Sequence, residues 1–441
     1  MKRHPLSAIV LCALVVACRG SSGEGEAAGG DGGLVADDGQ GGAAGMAGRN
    51  AGGAVAGEGG GSGGAGVGGG GAGGTLGAGG KGGAAGGSQS AGGNRGTAGS
   101  GGSATLGGTG GGAKRDPWLW PFSANSIWNQ PIGDGAVMVP ANLQSAAHVG
   151  VDIQIMLKLK ASDPARAVLG STTFGPGRCG GTEDLGFKLN VPDNWIVPDA
   201  GNSPYGGTPN SNFAFLQPDG VTLFEGNVVA RCVAAGPVYV PDFFRFPNNR
   251  KMQSITGDGL NGGGQGASHM SAMGGTLRKG ELTGADPIRH AVKVNPFAQK
   301  YLFYSAQVPG FRWPAKAADS YANGGYKGTN AALVMGALLA IPKNVTPESI
   351  GIASEPAKKL FFALKHYGAY FTEDAAWDVW DLVVERDAEL EFEKKWGFSM
   401  FSDIWKADVN RLAKALWIVD NNTATSIGGG GTPLQPLAPG F

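Results

Sequence analysis

No phenylalanine, tyrosine or tryptophan occurs before Trp118, and no proline lies between Pro5 and Pro117. Without large apolar side chains, burial cannot offset the entropy of ordering a backbone. Residues 18–115, mostly Gly, Ala and Ser in blocks such as Glu58-Gly59-Gly60-Gly61-Ser62-Gly63-Gly64, therefore read as a disordered tether. Glycine keeps no strict third-residue period, which excludes collagen. A chain of this composition and length has an r.m.s. reach of about 50–60 Å.

An excess of either charge is also missing. The chain of 441 residues carries 35 basic and 35 acidic side chains, and residues 116–441 hold 27 against 29. Nucleic-acid binding, which calls for a basic excess or stripe, is excluded as an expectation. Beyond the leader, no apolar run approaches the roughly 18 residues of a membrane-spanning helix. Residues 116–441 contain no G-x-S-x-G elbow, HExxH, P-loop or EF-hand loop, which sets aside the common serine-hydrolase and metalloprotease readings. Gly257-Asp258-Gly259-Leu260-Asn261-Gly262 fits G-x-G-x-x-G, but no buried strand precedes it and Gly263-Gly264 stands where a helix would begin. Residues 257–275, including His269, read instead as a flexible loop that borders a site. No cofactor and no metal ligand set is expected.

What the N-terminus does contain is an address. Lys2 and Arg3 precede an apolar run over Leu6–Val16, and Val15-Val16-Ala17-Cys18 closes it. The segment resembles the lipobox of bacterial lipoproteins, in which the cysteine is acylated and becomes the first mature residue. That resemblance implies a signal peptide over 1–17, a membrane anchor on Cys18 and, because Arg19 follows rather than Asp, the outer membrane of a Gram-negative cell, facing periplasm or exterior. Several acyl chains at roughly 0.8 kcal/mol per buried methylene make a stable anchor.

Only four cysteines are present. Cys12 leaves with the signal and Cys18 takes lipid, so Cys179 and Cys232 remain in an oxidising compartment and are expected to pair. Closing a loop of that length contributes about 3–4 kcal/mol.

Composition changes at Asp116-Pro117-Trp118-Leu119-Trp120-Pro121-Phe122, and residues 116–441 form one globular domain. Alternation over Val151–Leu159 predicts a half-buried strand, and Phe213–Gln217 and Val221–Glu225 predict a hairpin about Pro218-Asp219-Gly220. Further strands are expected at 289–294 and 301–308. Helices are expected at 331–339, at 356–367 with Ser354 as cap and Pro356 in the first turn, and at 408–416. The fold class is β-rich α+β: a β-sandwich or jelly-roll-like sheet core with helices packed in the C-terminal third.

Candidate chemistry centres on His290. Alternation through Ile288–Val294 sets Ile288, His290, Val292 and Val294 on one face, and Glu281 would reach His290 if the flanking strands paired. A carboxylate beside an imidazole orients a general base; a core histidine and a cross-strand ion pair explain the same residues. Glu225, where the hairpin opens, is a candidate second acid or a solvated strand-end charge. Arg289 is a candidate for binding an acidic or hydroxyl-rich substrate, and Trp313 and Trp377 are candidate sugar-stacking faces or core residues.

Asn125-Ser126-Ile127-Trp128-Asn129, Gly280-Glu281-Leu282 with Ile288-Arg289-His290-Ala291, Arg312-Trp313-Pro314-Ala315, and Ala363-Leu364-Lys365-His366-Tyr367-Gly368 resemble a group of secreted bacterial proteins with no established reaction. The resemblance spans most of 116–441 and implies one integral domain. The function expected is that of a lipid-anchored envelope protein acting on polysaccharide as a lyase or glycoside hydrolase. A noncatalytic surface module binding glycan or an envelope partner, or a structural envelope lipoprotein, is the alternative.

Overall fold

Val151-Asp152-Ile153-Gln154-Ile155 alternates in structure as it does in sequence, and the strand it forms lies near the middle of the sheet that dominates the domain. The computed structural model describes residues 114–200, 210–241 and 250–441. The signal segment, Cys18 and the tether through residue 113 lie outside these described residues, while Arg115, expected at the end of the tether, is buried and donates to the Phe122 carbonyl at 2.6 Å.

In spatial order the large sheet runs β1 (Met138–Pro140), β13 (Trp417–Val419), β10 (Leu338–Ala340), β11 (Ala369–Phe371), β9 (Val292–Pro296), β12 (Val379–Glu385), β2 (His148–Lys158), β5 (Asn212–Leu216), β6 (Thr222–Gly226) and β8 (Arg250–Ser254). A second sheet has the order β4 (Asp184–Asn190), β3 (Ala165–Ser171), β7 (Val238–Pro241). The large sheet is mixed, with parallel neighbours β11–β9, β12–β2 and β2–β5, whereas a jelly roll is built from antiparallel pairs. The protein is thus a β-rich α+β fold.

Helices α1 (Ala298–Tyr301) and α2 (Ala322–Gly325) are single turns, while α3 (Glu355–His366), α4 (Ala388–Trp396) and α5 (Asp403–Ala415) are longer and alternate with β11–β13 along the chain.

The hairpin forms as read. β5 and β6 pair antiparallel, Gly220 takes φ +70° in the turn, and the Asp219 carboxylate accepts from the Val221 and Thr222 amides. One side of β2, β5 and β6 packs Ile155, Phe213, Phe215 and Phe224 against Val168, Leu189, Val238 and Val240 of the smaller sheet. Cys179 and Cys232 are disulfide-bonded.

Three local expectations are corrected. Residues 331–339 are not helical: Gly336 sits at φ +79° with no room for a Cβ beside the Arg312 carbonyl, and the apolar run ends as buried strand β10. Residues 301–308 are not a strand, because Tyr301 closes α1 and Ser305–Val308 is a turn held by the Ser305 carbonyl and hydroxyl. Strand β9 starts at Val292, which leaves His290 in the preceding loop.

Helix α3 begins where expected, with Ser354 at its N-cap position. The Ser354 hydroxyl is turned to Asp408 Oδ2 at 2.7 Å instead, tying α3 to α5. Among the described residues no helix is long and apolar enough to cross a membrane.

Candidate active site

The side of the sheet opposite the small apolar cluster is polar. Register places Lys293 and Asn295 of β9, Asp381 of β12, Asp152 and Gln154 of β2, Asn212 of β5 and Glu225 of β6 on one face. Period two makes this inevitable once Ile153, Ile155, Phe213 and Phe224 face the other way. Lys293, Gln154, Asn212 and Glu225 are nonetheless fully buried and Asp152 nearly so, because the glycine-rich segment 257–275 lies over them.

That segment is packed, not flexible. The amides of Gly263, Gly264 and Gln265 bond the carbonyls of His269 and Met270. Lys293 Nζ donates to the carbonyls of Ser271 at 3.1 Å and Ala272 at 2.8 Å. Gly266 is required for closeness: a Cβ there would stand 2.6 Å from Glu373 Oε1.

The inner part of the site is organised around Glu373 and Asp152. Glu373 Oε2 accepts from the Gly266 amide at 3.2 Å and from Asn212 Nδ2 at 3.3 Å. In the amide orientation that satisfies both of its ends, Gln265 donates to the same oxygen at 3.1 Å and accepts from Lys293 Nζ at 2.8 Å. Glu373 Oε1 has no hydrogen-bond partner. Asp152 Oδ2 accepts from Asn295 Nδ2 at 3.2 Å and Gln154 Nε2 at 3.3 Å.

Beside Glu373 lie buried Asp374 and partly exposed Asp319. The Tyr321 hydroxyl donates to Asp374 Oδ2, and the Tyr326 hydroxyl donates to Asp319 Oδ2 at 2.6 Å. The two tyrosine rings meet edge to face at 6.2 Å. Asp319 and Tyr321 are partly exposed, while Asp374 is buried with its Oδ1 unpartnered.

Burial in this dense set of acids separates their protonation. Burial, and then Asp152, Asp319 and Asp374, hold the Glu373 carboxyl well above the usual range. Burial and then Asp319 do the same to Asp374. Burial raises Asp319 to about 6 against the opposing Tyr326 hydrogen bond. It also raises Asp152 to about 6 against the nearby Lys293 charge and amide donors. Lys293 itself is lowered by burial to about 7, although Asp152, Glu225 and Glu373 favour its charge. Asp374 and Glu373 are thus held well above the usual carboxyl range, while Asp319 and Asp152 are raised only to about 6. Such a separated pair of carboxyls is what general acid and general base chemistry requires. Among the described residues no group of three or more His, Cys, Asp or Glu is arranged to hold a metal ion.

The structure brings Glu281 and His290 together and places them elsewhere. His290 Nε2 and Glu281 Oε1 are 2.9 Å apart, and His290 Nδ1 meets the Ala291 carbonyl at 2.9 Å. Glu281 also accepts from the Arg278 amide at 2.6 Å. The contact joins two loops, not paired strands, and His290 is 7% exposed. The only space described beside it is about 10 Å³, lined by residues including Leu119, Trp128 and Met273, too small for a sugar ring.

Burial opposes charge on His290, but the adjacent Glu281 carboxylate outweighs it and raises the imidazole above 6.5. Burial likewise opposes ionisation of Glu281, and His290 with the Arg278 amide outweighs it, leaving the carboxyl below 4.5. The pair therefore stabilises the fold between those limits. Its contribution falls as pH rises through the raised histidine pKa and as pH drops through the depressed glutamate pKa. His290→Ala is expected to cost about 1–3 kcal/mol at about pH 6 and distinctly less in alkaline buffer, as read by urea unfolding at the two pH values.

Glu225 belongs to the polar face but its carboxylate is taken up. It accepts from Ser271 Oγ at 2.7 Å, from the Met273 amide at 2.8 Å and from Gln253 Nε2, so it anchors the covering segment. Arg289 is exposed, its guanidinium 5.9 Å from the Trp120 ring centre. Trp313 packs partly buried against the main core, and Trp377 is 36% exposed three residues beyond Asp374.

No family model, curated protein or solved structure matches the chain.

Sequence reasoning missed Asp152, Asp319, Tyr321, Glu373 and Asp374. Two signals were available: acids at consecutive positions one residue after the apolar run Ala369-Tyr370-Phe371, and Lys293 alternating with valines inside a buried strand.

Proposed function

We propose that this protein is a lipid-anchored enzyme of the Gram-negative outer membrane that hydrolyses polysaccharide, with Asp374 as general acid and Asp319 as general base. The anchor is Cys18, and the tether would let the domain reach extended or insoluble chains. The reading rests on two neighbouring carboxyl groups, each bonded to a tyrosine hydroxyl, of which burial and Asp319 hold Asp374 well above the usual range while Asp319 is raised only to about 6. Asp319 and Tyr321 are partly exposed.

In the step proposed, Asp374 gives its proton to the glycosidic oxygen as the bond to the anomeric carbon breaks. A water adds to that carbon and passes its proton to the Asp319 carboxylate. Tyr321 holds Asp374 in place, and Trp377 offers an exposed aromatic face for a sugar ring. Glu373, Asp152, Gln265 and Lys293 form the buried support behind the acid pair. Glu281 and His290 pin the two loops they join.

The test is a panel of neutral and acidic glycans incubated with the full chain and read for new reducing ends and for unsaturated products. Reducing ends without unsaturation, lost in Asp319→Asn, support hydrolysis. Unsaturated ends would move the reaction to elimination. Saturable retention of a glycan with no product of either kind would replace the enzyme with a binding module.

A further inference from the structure

Outside the acid site, one face of α3 is unlike the rest of the surface. Lys358, Phe362 and His366 recur at i, i+4 and i+8, which aligns them along about 12 Å of helix. Phe362 is 44% exposed, and its ring lies 5.8 Å from that of His366. This stripe forms one wall of an open groove of about 740 Å³ whose lining includes Trp120, Arg289, Lys359 and Leu437. A second hollow of about 440 Å³, lined in part by Lys343 and Lys365, shares His366 and Gln435 with the first. The two therefore make one continuous track.

The charges along this track are mostly of one sign. Arg289, Lys343, Lys358, Lys359 and Lys365 face only Glu355 and Asp134 within the two linings. Glu355 is engaged by Lys358 at 2.7 Å. Lys359 and Lys365 bond backbone carbonyls, of Gly284 and Val345, and among the described residues Arg289 pairs with no carboxylate. A domain with a slight acidic excess thus gathers five cations in one groove, of which Arg289, Lys343 and Lys365 have no carboxylate partner among the described residues, and low-dielectric walls focus their field. The exposed aromatic surface between the cations, the Phe362 ring, is of the kind that packs on the apolar face of a sugar ring.

We propose that this track binds an acidic polysaccharide, carboxylates meeting Arg289 and the lysines while a sugar face packs on Phe362. Arginine suits this role because its planar fork takes a carboxylate through two parallel hydrogen bonds. None of the track residues belongs to the acid cluster, so binding here stands whether or not that cluster cleaves glycans. For an enzyme on a tether, such a track would hold the polymer between turnovers.

The test is retention of the full chain on immobilised polygalacturonate, with fully methyl-esterified polymer as the uncharged control and polyglutamate as an acidic competitor. The expected result is saturable retention that is absent on the ester and weakens with rising salt. Arg289→Ala and Phe362→Ala, both at exposed positions, should each weaken it by about tenfold or more, as removal of a central anchor does. No retention of the wild-type chain, equal retention of the ester, or wild-type affinity in both variants would overturn the proposal. Polyglutamate displacing the polymer at equal affinity would assign the track to acidic peptide instead and overturn the sugar assignment.

Discussion

Asp374→Asn is expected to lower kcat for glycan hydrolysis by about 10²–10⁴-fold, the loss that follows removal of a positioned acid. The substitution keeps size and shape, and an amide oxygen can still accept from the Tyr321 hydroxyl that now meets Asp374 Oδ2. What disappears is the transferable proton whose retention burial and the neighbouring Asp319 favour. Since little binding is lost, KM should change far less than kcat. The wild-type rate should fall on the acid side with an apparent pKa of about 6, where Asp319 takes up a proton. Stopped assays of reducing ends across pH, for wild type and variant, check both statements. Retained turnover in a folded Asp374→Asn protein would remove this carboxyl from the mechanism.

Glu225→Leu is expected to destabilise the fold by about 3–5 kcal/mol, the cost of breaking a buried, hydrogen-bonded charge cluster by deleting one partner. Leucine leaves the Met273 amide and the Ser271 hydroxyl without their acceptor. It also removes one of the three carboxyl groups that favour the charge on Lys293. Because Ser271, Ala272 and Met273 hold segment 257–275 against the sheet, the damage should be local first, with amide exchange rising in that segment before global unfolding. Glu225→Gln, which keeps an acceptor, should lose less. Urea unfolding of the two variants measures the difference, and equal stability of Glu225→Leu and wild type would show that the carboxylate is not the anchor described.

The fold was legible wherever a single face was apolar. Val151–Leu159 and the Pro218-Asp219-Gly220 hairpin carried their periods and turn chemistry in plain view, as did the aligned residues of α3. The run 331–339 misled because a short apolar stretch has no period to separate a buried strand from a helix, and Gly336 was the residue that decided it. The site was less legible for a physical reason. Asp152 and Gln154 occupy the polar positions of an alternating strand, which ordinarily face water, and only the distant segment 257–275 buries them. Glu225 was singled out as an acid at a strand end, and its sequence context gave no hint of the three donors that take it up. Glu281 and His290 meet, but between loops and not through the strand pairing expected, and only their surroundings, a buried contact with about 10 Å³ of space beside it, distinguish a pin from a base. Asp319 and Asp374 lie 55 positions apart, and nothing local relates them.

The account depends on the protonation of two aspartates, which carbon-13 NMR of the side-chain carboxyls in aspartate-labelled protein reads directly, with Asp319→Asn and Asp374→Asn for assignment. Asp408, lowered below 3.8 by its hydrogen bonds to Ser354 and Ala353 and its pairing with Arg411 despite burial, serves as the internal reference for an ionised group. The account predicts that at neutral pH the Asp374 carbon still resonates as a protonated carboxyl, while the Asp319 carbon titrates near 6 and Asp408 shows no change. Ionisation of Asp374 and Asp319 together in the ordinary aspartate range would contradict it.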